Sequence, residues 1–120
     1  MHASLESRIN DALSKWSVIK FIEPHMYQDE IENILNNLVK ISIESINRNK
    51  SNIPLIKTTI SDTFYDFLDD NNIEVDLYSC DGISDIIYEL YSEFLLGRCD
   101  FYNKVMGIKE VTVPENIESE

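Results

Sequence analysis

The chain has 120 residues, of which 43% are hydrophobic and 27% charged, and its formal net charge at pH 7 is -12. This composition is typical of one globular domain and excludes a disordered chain, which would have too little apolar surface to form a core. The negative charge repels nucleic acid and anionic lipid, so we expect neither as a direct partner.

The excess of negative charge lies entirely in the second half of the chain. Residues 1–57 contain seven Lys or Arg and seven Asp or Glu, whereas residues 58–120 contain three basic and fifteen acidic residues. Ten acidic residues and no Lys or Arg fall between Thr58 and Gly97. A stretch with one sign of charge attracts basic protein surfaces or cations.

Two helices are predicted in the N-terminal half. In the first segment, apolar residues recur at steps of three and four, which predicts a helix that begins at the N-cap Ser4 and ends near Glu23, ahead of Pro24. The same spacing predicts a second helix from about Tyr27 to Asn47. The polar residues 49–52 are typical of a connecting turn.

The second half predicts two long helices and one short helix. Pro54 suits the first turn of a third helix, which carries acidic residues on its outer face and ends near Asp70. A fourth, central helix is predicted between Gly82 and Gly97, with an apolar stripe on one side and acidic residues on the other. A short last helix is predicted around residues 101–106.

Residues 73–78 have a different period, because apolar and polar residues alternate there. This alternation predicts a short strand or an extended connector, and the strand would pair with a second weak strand at residues 108–113. The predicted fold class is therefore mainly all-α, a compact bundle of four to five helices with room for one short strand pair. We expect a single helical domain over residues 1–113 and a mobile acidic tail over residues 114–120.

Cysteine usage and hydropathy predict a cytoplasmic protein. Cys80 and Cys99 are the only cysteines, and the first residues contain no apolar run suitable for export. No stretch approaches the roughly 18 apolar residues that would span a bilayer. We expect both thiols to be reduced and buried as small hydrophobic groups.

Motifs for catalysis, nucleotide binding and metal binding are weak, so we expect no enzyme, no cofactor and no metal. The three glycines are isolated, so the chain has no glycine-rich loop for a nucleotide. The only histidines, His2 and His25, do not belong to a catalytic motif. A calcium loop starting at Asp70 would place Val75 where the turn needs glycine and Asp81 where a bidentate Glu is usual. An enzyme with a perturbed carboxylate ranks third among the functional hypotheses.

The strongest functional signal is a pair of acidic stripes on the third and fourth helices, joined by tyrosines. The bland interpretation is a solvated face, but solvated faces normally mix both signs of charge. Tyrosines beside carboxylates suit a basic partner, since the acids steer encounter and the rings bury area. The candidate partner-binding residues are Asp62, Tyr65, Asp66, Asp69, Asp70, Glu74, Asp76, Tyr78, Asp85, Tyr88, Glu89 and Glu93.

Two functional hypotheses follow from these patterns. The first is a small binding or inhibitor protein that blocks a basic nuclease or nucleic-acid-binding protein, as an immunity protein or a nucleic-acid mimic does. The second is a structural or adaptor subunit, with a homodimer as one form, because Phe94, Leu95, Leu96 and Phe101 supply more apolar surface than one small core needs.

Overall fold

The computed structural model describes residues 4–107, and the secondary structure of this part of the chain is helical without any strand. The all-α prediction is therefore confirmed. In chain order the helices are α1 (Leu5–Lys15), α2 (Ser17–Ile22), α3 (Gln28–Arg48), α4 (Ile53–Asp70), α5 (Leu77–Leu95) and α6 (Asp100–Met106), with a 3-10 turn at Glu23–His25 after α2.

The predicted first helix is two helices, because Trp16 interrupts the helical backbone. Ser4 is its N-cap as predicted, and the Ser4 hydroxyl accepts from the backbone N–H of Ser7 at 3.1 Å. Trp16 has extended backbone angles, φ -63° and ψ 135°. Its side chain is 8% exposed and its ring centroid lies 6.1 Å from that of Phe64. The break thus turns α2 away while the indole stays in the core.

Helices α4 and α5 form an antiparallel hairpin. Lys57 contacts Asp85 and Ser61 contacts Asp81, so a step of four along α4 matches a step of four backwards along α5. Ser61 and Ser84 are both buried in these two helices, and such small side chains let helix backbones approach closely.

Helices α1 and α3 complete the bundle around this hairpin. Helix α1 packs on both α3 and α5, and α3 packs on α4, so the four longest helices surround one core. Burying large aliphatic and aromatic side chains is the main source of stability in such a bundle. The fully buried core side chains include Ile9, Leu13, Leu38, Ile60, Phe64, Leu68, Ile83 and Ile87.

The strand predicted at residues 73–78 is wrong. Helix α4 ends in a Schellman motif, in which the Ile73 N–H donates to the Leu68 carbonyl at 2.8 Å and Asn72 adopts a left-handed φ of 61°. Ile73 is buried because it is the hydrophobic residue of this motif, and Leu77 already belongs to α5. The alternation therefore came from a helix stop followed by a helix start.

Helix α5 begins five residues earlier than predicted. Asp76 is its N-cap and accepts from the backbone N–H of Ser79 at 2.7 Å, so Gly82 lies inside the helix. The predicted stop at Gly97 is confirmed, since this glycine has a left-handed φ of 70° directly after the helix. The segment 108–113, predicted as the second strand, and the predicted tail 114–120 lie outside the described residues.

Candidate functional site: an acidic groove beside the hairpin loop

Four of the predicted acids converge on one open groove of about 800 Å³. It lies between the outer face of α4 and the loop of residues 73–76 that leads into α5. We call it the acidic groove, and its lining residues are Asp62, Tyr65, Asp66, Glu74, Val75, Asp76 and Leu77. No Lys or Arg is among them.

The geometry of the groove follows from the local structure on its two sides. Asp62 and Asp66 are four residues apart on α4, on the side opposite the buried Ile60 and Phe64. The Schellman motif then reverses the chain, and the buried Ile73 anchors the loop against the core. The exposed residues of the loop are thereby held against the outer face of α4.

The carboxylates of the groove are not neutralised by neighbouring cations. Within residues 4–107, Asp62, Asp66, Glu74 and Asp76 take part in no ion pair. The backbone N–H of Ser79 donates to Asp76, and this bond, together with the Ser79 hydroxyl, lowers the pKa of that carboxyl. Asp76 therefore keeps its charge at a lower pH than an isolated aspartate.

Exposed apolar side chains accompany these charges. Tyr65 and Leu77 line the groove and are 38% and 47% exposed, and Tyr78 in the first turn of α5 is 86% exposed. Tyrosine binds partners well because it buries a large area while losing few rotamers. The groove thus combines uncompensated charge with accessible aromatic area.

Asp69 and Asp70 remain at the surface but do not line the groove. Both are exposed in the last turn of α4, where the helix dipole disfavours negative charge. No described residue of that turn is basic. These two aspartates add to the negative field around the groove without forming its wall.

On α5, the predicted acidic stripe is divided among different environments. Asp85 pairs with Lys57 of α4 at 3.3 Å, and the ammonium of Lys57 also lies 5.3 Å from the Tyr88 ring centroid. Tyr88 is half-buried against Tyr91. Asp85 and Tyr88 therefore both contact Lys57 within the hairpin. Lys57 belongs to residues 1–57, the half of the chain in which positive and negative charges balance.

Glu93 is a structural residue, at 10% side-chain exposure. Its carboxylate lies 3.8 Å from the guanidinium of Arg8, and accepts from the backbone N–H groups of Phe101 and Tyr102 at the start of α6. Glu89, one turn earlier, is exposed beside a small groove that also includes Arg98. The acids of α4 and α5 therefore do not share one cation-free surface: Lys57 of α4 pairs with Asp85 and Arg8 of α1 pairs with Glu93, while four other acids line the acidic groove.

The sequence patterns missed the polar cluster that surrounds Glu93. Arg8 is 1% exposed, donates to the Arg98 carbonyl at 2.6 Å and lies over the rings of Phe94 and Tyr102. Its position next to Ile9 on the apolar side of α1 was the available signal. We call Arg8, Asp11, Glu93 and Tyr102 the buried polar cluster.

Tyr102 of α6 connects to Asp11, which lies about one turn beyond Arg8 on α1. Its hydroxyl donates to the Asp11 carboxylate at 2.6 Å. This hydrogen bond, with help from burial and from the Asp11 charge, raises the pKa of Tyr102. The cluster therefore joins α1, α5 and α6 by bonds between charged and polar groups.

Metal and thiol chemistry find little support in this part of the chain. Residues 4–107 contain no group of three or more His, Cys, Asp or Glu side chains arranged to hold a metal ion. Of the oxygen ligands considered for calcium, Asp76 caps α5 and Asp81 accepts from the Ser61 hydroxyl. Cys80 and Cys99 are free thiols; Cys80 is buried as predicted, whereas the prediction is wrong for Cys99, which is only half-buried. Burial raises the pKa of the Cys80 thiol to about 11.

Among the described residues, no helix has both the length and the apolar character needed to cross a membrane. A comparison with protein-family models, with curated proteins and with solved structures found no significant match to this chain.

Proposed function

We propose that the protein acts by binding rather than by catalysis, and that its acidic groove docks onto a basic protein surface and blocks it. The basic surface would be that of a nuclease or of a nucleic-acid-binding protein, which carries Lys and Arg for phosphate contacts. The observation that carries the proposal is the convergence of Asp62, Asp66, Glu74 and Asp76 on one groove that has no basic lining residue within the described part of the chain.

Electrostatics supplies the physical reason. Charges of one sign lining a concave surface focus the field and raise the rate of encounter with oppositely charged partners. Carboxylates form bidentate hydrogen bonds with arginine, so the groove favours guanidinium groups on the partner. Tyr65 and Tyr78 would supply buried aromatic area once the partner is bound.

A matched pair of charge reversals tests the proposal. Asp62→Lys/Asp66→Lys changes the groove, whereas Glu32→Lys/Glu44→Lys changes the same number of charges at exposed positions of α3 outside it. Each form would be used to capture proteins from a nuclease-treated lysate of the native cells. A captured basic protein should bind wild type and the α3 variant but lose binding to the groove variant by at least about tenfold.

The captured partner must then be inhibited to complete the test. Its nucleic-acid binding or cleavage should fall with added wild-type protein and reach its minimum near a one-to-one ratio. Raising the salt concentration should slow association, because exposed charges are screened. If both double variants capture and inhibit equally well, the acidic groove is not the binding surface and the proposal fails.

A second candidate function, a structural or adaptor subunit, is favoured by a separate apolar patch. Leu95 and Leu96 are 65% and 70% exposed at the end of α5, next to Phe94 at 37%. A stable dimer through this patch would bury these side chains. Sedimentation equilibrium on wild type and Leu95→Ser/Leu96→Ser distinguishes the two: a dimer that the substitutions dissociate favours the adaptor in its homodimeric form, and a monomer favours the inhibitor.

A further inference from the structure

A second groove lies on the other side of the same 73–76 loop. Its volume is about 330 Å³, and we call it the apolar groove because its lining includes Val18, Phe21 and Ile22 of α2 together with Val75 of the loop. Glu74 and Asp76 line both this groove and the acidic groove. The loop is thus a wall shared by two grooves: its carboxylates line both of them, whereas the apolar residues of α2 line only the smaller one.

Phe21 is the notable side chain of the apolar groove. It is 76% exposed, and its nearest ring neighbour is His25, at 6.4 Å between centroids. A single exposed hydrophobic residue is ordinary, but Phe21 borders a concave site that also contains the apolar residues Val18, Ile22 and Val75, beside the polar residues Ser17, Glu74, Asp76 and Ser79. Aromatic side chains at the edge of such a site are frequent anchors for a partner.

We infer that the two grooves together bind one basic amphipathic segment of a protein partner. Its apolar side chain would fill the groove beside Phe21, and its Lys or Arg residues would cross the loop to reach the carboxylates of the acidic groove. The inference rests on the proposed function and deepens it, because it specifies which part of the basic partner is recognised. Charge complementarity carries the choice of occupant: an apolar segment seated here comes to lie against Glu74 and Asp76.

The same charge argues against other occupants. A second copy of the chain placed symmetrically on this surface would bring two sets of uncompensated carboxylates together, which is unfavourable. Nucleic acid and anionic lipid would meet the same repulsion. A purely apolar segment would leave the carboxylates of the shared wall partly desolvated without partners.

The test uses three synthetic peptides of equal length as probes. The first is a helical Lys/Leu peptide with the two residue types on opposite faces, the second has the same composition in scrambled order, and the third replaces Leu by Ala. Each is titrated into the isotope-labelled full chain and followed by amide chemical shifts. Phe21→Ser is compared with Tyr27→Ser, because Tyr27 is 79% exposed, lines neither groove and is an N-cap position where Ser is suitable.

The inference expects a two-sided pattern. The first peptide should shift amides on both sides of the loop, near Phe21 and near Asp66, and should bind more tightly than the other two. Phe21→Ser should weaken its binding by about tenfold, since the variant lacks the aromatic ring that the bound peptide would bury. Tyr27→Ser should leave the affinity unchanged.

Several other outcomes would overturn the inference, and the first of them separates it from the proposed function. Shifts confined to the acidic groove, with no loss in Phe21→Ser, would overturn the amphipathic segment while leaving the acidic docking surface intact. Absence of binding, or equal shifts at the acidic residues of α3 such as Glu44, would overturn both. Equal affinity for the scrambled peptide would also overturn the inference.

Discussion

Acidic residues have opposite surroundings at the two ends of α5. At its C-terminal end, Glu93 is nearly buried and holds Arg8 and the start of α6. At its N-terminal end, Asp76 joins Asp62, Asp66 and Glu74 in a groove that no Lys or Arg of residues 4–107 lines. A run of acids in the sequence thus separates, on folding, into carboxylates that stabilise the protein and carboxylates that stay exposed at its surface.

The largest expected effect is at the C-terminal end of α5. Glu93→Ala removes the carboxylate that pairs with the buried Arg8 guanidinium and that accepts from two backbone N–H groups, so the free energy of unfolding should fall by about 3 to 5 kcal/mol. Urea denaturation measures this loss. Glu89→Ala, one turn earlier and exposed, is the matched control and should change stability by no more than about 0.5 kcal/mol. Equal losses of unfolding free energy in the two variants would show that Glu93 does not stabilise the protein more than an exposed acid does.

Tyr102 gives an intermediate effect with a defined pH dependence. Tyr102→Phe removes the hydrogen bond to the Asp11 carboxylate and should cost about 1 to 2 kcal/mol near neutral pH. Because the pKa of Tyr102 is raised in the folded state, this contribution is complete below the ordinary tyrosine pKa of about 10 and is lost as pH rises through the higher folded value. The stability difference between wild type and variant should therefore shrink in alkaline buffer. A constant difference would show that packing, rather than the hydrogen bond, sets the cost.

The pair between Lys57 and Asp85 should contribute less, although it too joins an acid to a cation from the N-terminal half. Both side chains are partly exposed, at 38% and 63%, so water screens their attraction. A double-mutant cycle with Lys57→Ala and Asp85→Ala should give a coupling energy below about 1 kcal/mol. A coupling energy of several kcal/mol would contradict this expectation and would show that the pair stabilises the fold as strongly as the buried polar cluster does.

The smallest expected effect has the opposite sign. Asp70→Asn removes a negative charge from the last turn of α4, where the helix dipole and the neighbouring Asp69 both disfavour it. Thermal unfolding should therefore show a stability gain of about 0.3 to 1 kcal/mol, and the gain should shrink at high salt. A loss of stability would indicate that this carboxylate has a favourable contact and belongs with the structural acids.

Most of the helical framework was predictable because its signals are local. The apolar spacing, the Ser4 N-cap and the stop at Gly97 depend on neighbours within a few residues, and the structure confirms them. The strand at residues 73–78 was wrong because a Schellman motif followed by an N-cap produces the same alternation of apolar and polar residues as a strand. Distinguishing the two requires knowing that Ile73 packs back onto α4.

What the sequence established by itself is a helical domain whose excess of acidic residues lies in its second half, because periodicity and charge are properties of the chain. Which acids remain without a cation was decided by tertiary packing. Lys57 and Arg8 come from the electrically neutral half of the chain, and only the packing of α4 and α1 against α5 brings them to Asp85 and Glu93. The same packing places the 73–76 loop beside both α4 and α2, so the two grooves exist only in the folded molecule.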